Sequence, residues 1–222
     1  MFLGHYGVGF AAKRFAPSAS LGTLLFAAQF VDLVWPILVL AGVEVVRIDP
    51  GNTVVTPLDF VSYPFTHSLA AGLGWGLLLG LVYLVIRRSA RGALVVGLAV
   101  VSHWVLDWIS HRPDLALYPG GPKVGLGLWQ SLTGTLVVEL TLFAIGLGLY
   151  LATTRPLDRT GRWGLAALVA LLLASYGGAL FGPPPPSDRA IAWVGLGGWL
   201  LPLAGVWVDR HRALRRPATV RR

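Results

Sequence analysis

Six apolar runs, at residues 20–43, 66–86, 92–111, 128–152, 163–181 and 190–208, each come close to or exceed the roughly 20 residues a helix needs to cross a hydrocarbon core. Lipid offers no partner for a backbone N–H or C=O, so a spanning segment must satisfy those groups within a helix or a closed barrel; uninterrupted runs of this length select helices. The expected fold is all-α, a polytopic membrane helix bundle of about six transmembrane helices. A mean hydropathy of +0.68 with only 13% charged residues excludes an ordinary soluble domain.

The net charge of +8 would suit nucleic acid if the cations lay on one soluble face. They lie instead between the apolar runs, at Lys13-Arg14, at Arg87, Arg88 and Arg91, at Arg155, Arg159 and Arg162, and in a tail with Arg210, Arg212, Arg215, Arg216, Arg221 and Arg222. This is the placement of the positive-inside rule. The charge is therefore topological, the implied partner is the lipid bilayer, and nucleic acid is not implied. All four clusters share one side if six spans follow a short first helix, which predicts a multi-pass protein of the inner (plasma) membrane with a cytoplasmic C-terminus. The chain has no Cys, which removes thiolate ligands and a thiol nucleophile.

Residues 2–12 are apolar but reach only half a bilayer at 1.5 Å per residue, so they predict a re-entrant or interfacial helix. His5 in that segment, and a basic pair after rather than before it, do not fit a signal peptide. Residues 44–65 read as a loop, with Asp49-Pro50-Gly51-Asn52 as a turn. Thr66 is placed to cap the second span, with His67 and Ser68 in its first turn. Gly72, Gly76 and Gly80, and again Ala166, Ala170, Ala174 and Gly178, form stripes of small residues suited to close helix packing. The chain reads as one membrane domain: site-bearing helices over 1–152, two further spans over 163–208, and a basic tail over 209–222.

Ionisable residues inside these runs are the functional signal, because an acid in hydrocarbon costs several kcal/mol unless something answers it. His103, Asp107 and His111 are four residues apart and share one helical stripe. Asp32 lies mid-span, and Pro36 leaves the Asp32 carbonyl without its helical donor, which predicts a kink there. Counted from the basic ends, Asp32 and His103 both lie about 18 Å deep. Glu139 and His5 fall near the same layer, Asp107 lies one turn further out, and His67 is nearer the opposite surface. His111 is assigned to the helix end beside Arg112, His211 to the solvated tail, and Asp59 and Asp114 to loops.

The order His5, Asp32, Thr66-His67-Ser68, then His103 and Asp107 with three residues between them, resembles the bacterial inner-membrane family called YdjM-like, predicted metal-dependent hydrolases. The resemblance covers roughly residues 1–150. This chain has the single acid Asp32 where that family often carries two acids and a His, and Ser62-Tyr63-Pro64-Phe65 where it often has His-Arg-Gly. The resemblance implies a divalent metal ion, with Zn²⁺ the leading choice, bound by His5, His67, His103 and Asp107. Asp32 would act as a further ligand or as general base, and Glu139 would orient a His or shuttle a proton. A lipid ester or phosphodiester is the implied substrate. The same residues would also serve a small channel or carrier for protons, metal ions or another solute, or a scaffold whose polar network fixes helix packing.

Overall fold

A computed structural model describes residues 1–215, so Arg216, Arg221 and Arg222 of the tail lie outside the described residues. Most long helices start on a side-chain cap, which satisfies an otherwise orphaned N–H. Ser20 caps α2 (Leu21–Leu40), Ser68 caps α4 (Leu69–Arg87), Ser89 caps α5 (Ala90–Ser110), Ser131 caps α6 (Leu132–Thr153) and Asp158 caps α7 (Arg159–Phe181). Three starts therefore move by three or four residues: α4 begins at 69, α6 at 132 behind a short 3₁₀ turn, and α7 at 159. The sixth run is α8 (Asp188–Leu196), a 3₁₀ turn and α9 (Leu200–Arg210) in succession. Six helical segments are long and apolar enough to cross a membrane, as expected of a multi-pass membrane protein.

The N-terminal helix α1 (Leu3–Phe15) is the best-enclosed element, with Leu3 and Phe10 fully buried. Apart from His5 and the terminal Lys13-Arg14 it is apolar or small on every side, and such a helix belongs in a core. It packs against α2, α5 and α6. Glycines allow the approach: a Cβ at Gly7 would lie 2.6 Å from the Leu142 carbonyl oxygen, and one at Gly9 would lie 2.8 Å from the Leu25 side chain. Of the two sequence alternatives, the short helix is the inserted one.

The glycine stripe of α4 packs as its spacing suggests. A Cβ at Gly76 would come within 2.8 Å of the Gly97 oxygen on α5, and one at Gly80 within 3.0 Å of the Ala93 oxygen. The rest of α4, including Leu73, Leu77, Leu81 and Val85, faces outward as a lipid-facing belt. The small stripe of α7 behaves oppositely. Ala166, Ala170, Ala174 and Gly178 face out, while Leu165, Leu168, Leu172 and Tyr176 pack inward, because the core beside α7 is built of large side chains that need large partners.

Short strands organise both ends. The expected 44–65 loop contains a hairpin, β1 (Val45–Ile48) with β2 (Leu58–Ser62), beside a smaller pair, β3 (Leu115–Ala116) with β4 (Lys123–Val124). Thr66 does not cap the second span; a one-turn helix α3 (Pro64–His67) precedes it, and Ser68 in an extended conformation takes the cap. At the opposite, basic end, β5 (Thr154–Pro156) pairs with β6 (Arg212–Leu214). Residues 209–215 are thus tied down rather than forming a free tail. Lys13 bonds Asp209 at 2.7 Å, Arg212 donates to Thr154 Oγ1 and Gly161 O, and His211 pairs with Asp158 at 2.8 Å rather than standing in solvent.

A candidate metal centre between α1, α2, α3 and α5

Five of the six site residues expected from the sequence converge. His5 comes from α1, Asp32 from α2, His67 from the end of α3, and His103 and Asp107 from α5. Their polar atoms alternate around a ring: Asp32 Oδ1 to His67 Nε2 is 3.2 Å, His67 Nε2 to Asp107 Oδ2 is 3.7 Å, Asp107 Oδ2 to His103 Nε2 is 3.2 Å, and His103 Nε2 to Asp32 Oδ1 is 3.5 Å. His5 Nε2 approaches the other Asp107 oxygen at 3.1 Å, and its ring stacks on His103 with centroids 3.5 Å apart. The Met1 amine also contacts Asp107 and lies 3.2 Å from Ser110 Oγ.

The outer nitrogens decide what the inner ones can do. His103 Nδ1 lies 2.8 Å from the Ala28 carbonyl oxygen, which can only accept, so Nδ1 carries the proton. The Thr66 hydroxyl donates to Glu44 at 2.7 Å and therefore accepts from His67 Nδ1, also at 2.7 Å. In the neutral imidazoles both inner Nε2 atoms then present lone pairs to carboxylate oxygens, and among the described residues His103 Nε2 has no hydrogen-bond partner. A lone pair facing an anion is unfavourable, so either a proton on Nε2 or a shared cation must sit between them. Atoms bonded to one metal at 2.0–2.2 Å are spaced about 2.9–3.6 Å from one another, close to the ring distances. Two sets of three fit a common ion: His5, His103 and Asp107, and Asp32, His67 and His103.

The ring is dry on three sides. His67, His103 and Asp107 are buried, while the Asp32 side chain is 36% exposed although it shares a helix face with buried Leu25, Ala28 and Val39. The cluster thus opens beside Asp32. Towards the basic end, Phe10, Leu24, Leu25, Val96, Val100 and Phe143 pack into an apolar core.

Glu139 is not brought to the ring. Its Oε2 accepts from the backbone amides of Phe2 and Gly4, at 2.8 and 3.2 Å, and so terminates the start of α1. Its reach to the site is indirect, through the helix that carries His5. Asp59 pairs with Arg112.

Three residues beyond the expected set belong to the surroundings of the ring. Glu44 is buried and accepts from the Phe65 and Thr66 amides as well as the Thr66 hydroxyl. Asp114, read as a loop acid, accepts from the Tyr63 hydroxyl at 2.7 Å and from His111 Nδ1 at 3.0 Å. Burial raises the Asp114 carboxyl, but hydrogen bonds from His111, Tyr63 and Arg112 outweigh it and hold the group below its ordinary range. Burial and then the Asp114 charge push the Tyr63 hydroxyl well above its ordinary value, leaving it a neutral donor. The one sequence signal for these residues is position, since Glu44 and Asp114 lie just beyond the ends of spans that carry site residues.

Comparison with family models, curated proteins and solved structures found no match to this chain.

Proposed function

We propose that this chain is a membrane-embedded, metal-dependent hydrolase acting on a lipid ester or phosphodiester. The reading agrees with the resemblance to the YdjM-like family. The observation that carries it is the alternating ring of two carboxylates and two imidazoles whose outer nitrogens are already committed. His5, His67, His103 and Asp107 hold the ion. The donor set fits Zn²⁺, Mn²⁺ or Fe²⁺, and such an ion supplies Lewis acidity and an acidified water. Asp32, the most exposed member of the ring, either completes the ligand set or accepts the proton of the attacking water. The buried imidazoles and the apolar packing around them keep bulk water out, while the opening beside Asp32 admits substrate.

Two rival readings gain less support. A channel or carrier needs a polar path that continues past the site, and an apolar core fills the space between the ring and the basic end. A scaffold would hold the ring as imidazolium–carboxylate pairs, and two of its four approaches, at 3.5 and 3.7 Å, are too long for the hydrogen bonds this needs.

The test is metal content of the purified protein beside His103→Ala and Asp107→Asn, followed by hydrolysis of fluorogenic phospholipid esters and phosphodiesters. Stoichiometric metal in the wild type, lost with hydrolysis in both variants, is expected. No metal after loading would overturn the centre; metal with solute flux in proteoliposomes but no hydrolysis would overturn the enzyme.

A further inference from the structure

His111 shares the construction of the ring histidines without belonging to the expected ligand set. It is 2% exposed, at the point where α5 ends and the chain turns into an extended conformation. Its Nδ1 lies 3.0 Å from Asp114 Oδ1, and that carboxylate also accepts from the Tyr63 hydroxyl. Facing an ionised acid, Nδ1 holds the proton, so the lone pair of the neutral ring is on Nε2. Nε2 makes no hydrogen bond among the described residues and points at Asp107 Oδ2, 3.9 Å away. The Trp129 and Phe60 rings flank the imidazole, with centroids 4.1 and 5.0 Å distant, which fixes its plane. His67 and His103 show the same pattern: outer nitrogen spent on a fixed acceptor, inner nitrogen aimed at a carboxylate oxygen.

We infer that His111 is a further metal ligand, and that Asp114 and Tyr63 are its positioning residues. The inference rests on the metal-centre reading above and extends it towards the loop-rich end. Asp107 Oδ2 then faces three imidazoles, from His67, His103 and His111, and Oδ1 faces a fourth, from His5. Closing the 3.9 Å separation by a few tenths of an ångström brings His111 Nε2 and Asp107 Oδ2 within the spacing of two ligands on one ion. Tyr63 and Asp114, the polar partners of His111, also line a cavity of about 290 Å³ with Lys123 and Gly120 at the loop-rich end.

Co²⁺ binding to the full chain in detergent tests this, read by calorimetry and by the visible ligand-field spectrum. His111→Asn is the discriminating variant, because its amide can keep the bond to Asp114 while the Nε2 atom is deleted. Loss of a ligand should weaken Co²⁺ binding at least tenfold and change the band pattern, and Asp114→Asn should weaken it in the same direction through a misoriented imidazole. His211→Asn, at the basic end, should bind as wild type. If His111→Asn is monodisperse and binds Co²⁺ with wild-type affinity and spectrum while His103→Ala does not bind, the inference falls and the metal centre stands. Should His111→Asn not fold, the wild-type imidazole count from X-ray absorption decides: four supports His111 beside His5, His67 and His103, three or fewer overturns it. Failure of the wild type itself to bind Co²⁺ overturns both readings.

Discussion

At the residue scale, the outer partners of the histidines set the chemistry more than the histidines themselves. Thr66 relays between Glu44 and His67, so Thr66→Val leaves a buried carboxylate short of a donor and an imidazole without its acceptor. Metal affinity should fall by about 10–100-fold, the usual effect of removing such a partner, and Thr66→Ser should restore it; equilibrium dialysis distinguishes the two. Glu139 makes the contrasting case. Since it accepts two amides of α1, Glu139→Gln should retain bound metal, whereas Glu139→Ala should lose about 0.5–2 kcal/mol of stability, the range for a lost helix cap, read as a lower thermal midpoint. Depth counting along the helices placed Asp32 and His103 in one layer, and they lie 3.5 Å apart. Glu44 and the Ala28 carbonyl were not legible, because each reaches its site histidine, Glu44 through Thr66, only after the chain has folded back, and Asp114 reads as a loop acid although it stands three residues from His111. Glu139 misled for the same reason: its depth was right, but depth does not say which element a side chain faces.

At the scale of elements, apolar runs and caps located the helices, while small-residue spacing proved ambiguous. The α4 glycines meet α5, yet the equally regular stripe on α7 faces outward, because spacing reports only that approach is possible. The critical close approach is instead Gly7 of α1 against the α6 backbone. Gly7→Ala puts a Cβ against an atom that cannot rotate away, so α1 must shift and carry His5 with it. A lower thermal midpoint together with reduced metal content is expected, and Gly74→Ala, with open space around it, should change neither. The hairpin of β1 and β2 escaped a sequence reading that registered only turn residues, and it forms the frame on which Glu44, Tyr63 and Asp59 are held. The clamp of Asp114 by His111, Tyr63 and Arg112 has a pH signature. The folded carboxyl titrates below its unfolded value of about 3.9, so its contribution is present above that value and lost as pH falls through the lower, folded one. Amide exchange of residues 111–126 should stay slow down to about pH 4 and accelerate below it, and Asp114→Asn should remove that dependence.

For the whole molecule, the arrangement of ends gives the site a sidedness. The Lys13–Asp209 pair, the β5–β6 pair and the turn at Arg88 gather at one end, and the two hairpins, Tyr63 and Asp114 gather at the other. Because α5 ends at Ser110, just beyond Asp107, the ring stands nearer the loop-rich end, with the apolar core filling the distance to the basic end. If the basic end faces the cytoplasm, as the positive-inside rule predicts, the opening beside Asp32 is directed to the outer half of the bilayer. The absence of native cysteine makes this directly measurable. Val54, 63% exposed beyond β1, and Leu157, 56% exposed beyond β5, report opposite ends. In intact cells a membrane-impermeant maleimide should label Val54→Cys and leave Leu157→Cys unmodified until the membrane is broken. The opposite pattern would turn the ring towards the inner leaflet, and any lipid reaching Asp32 would then come from the cytoplasmic side.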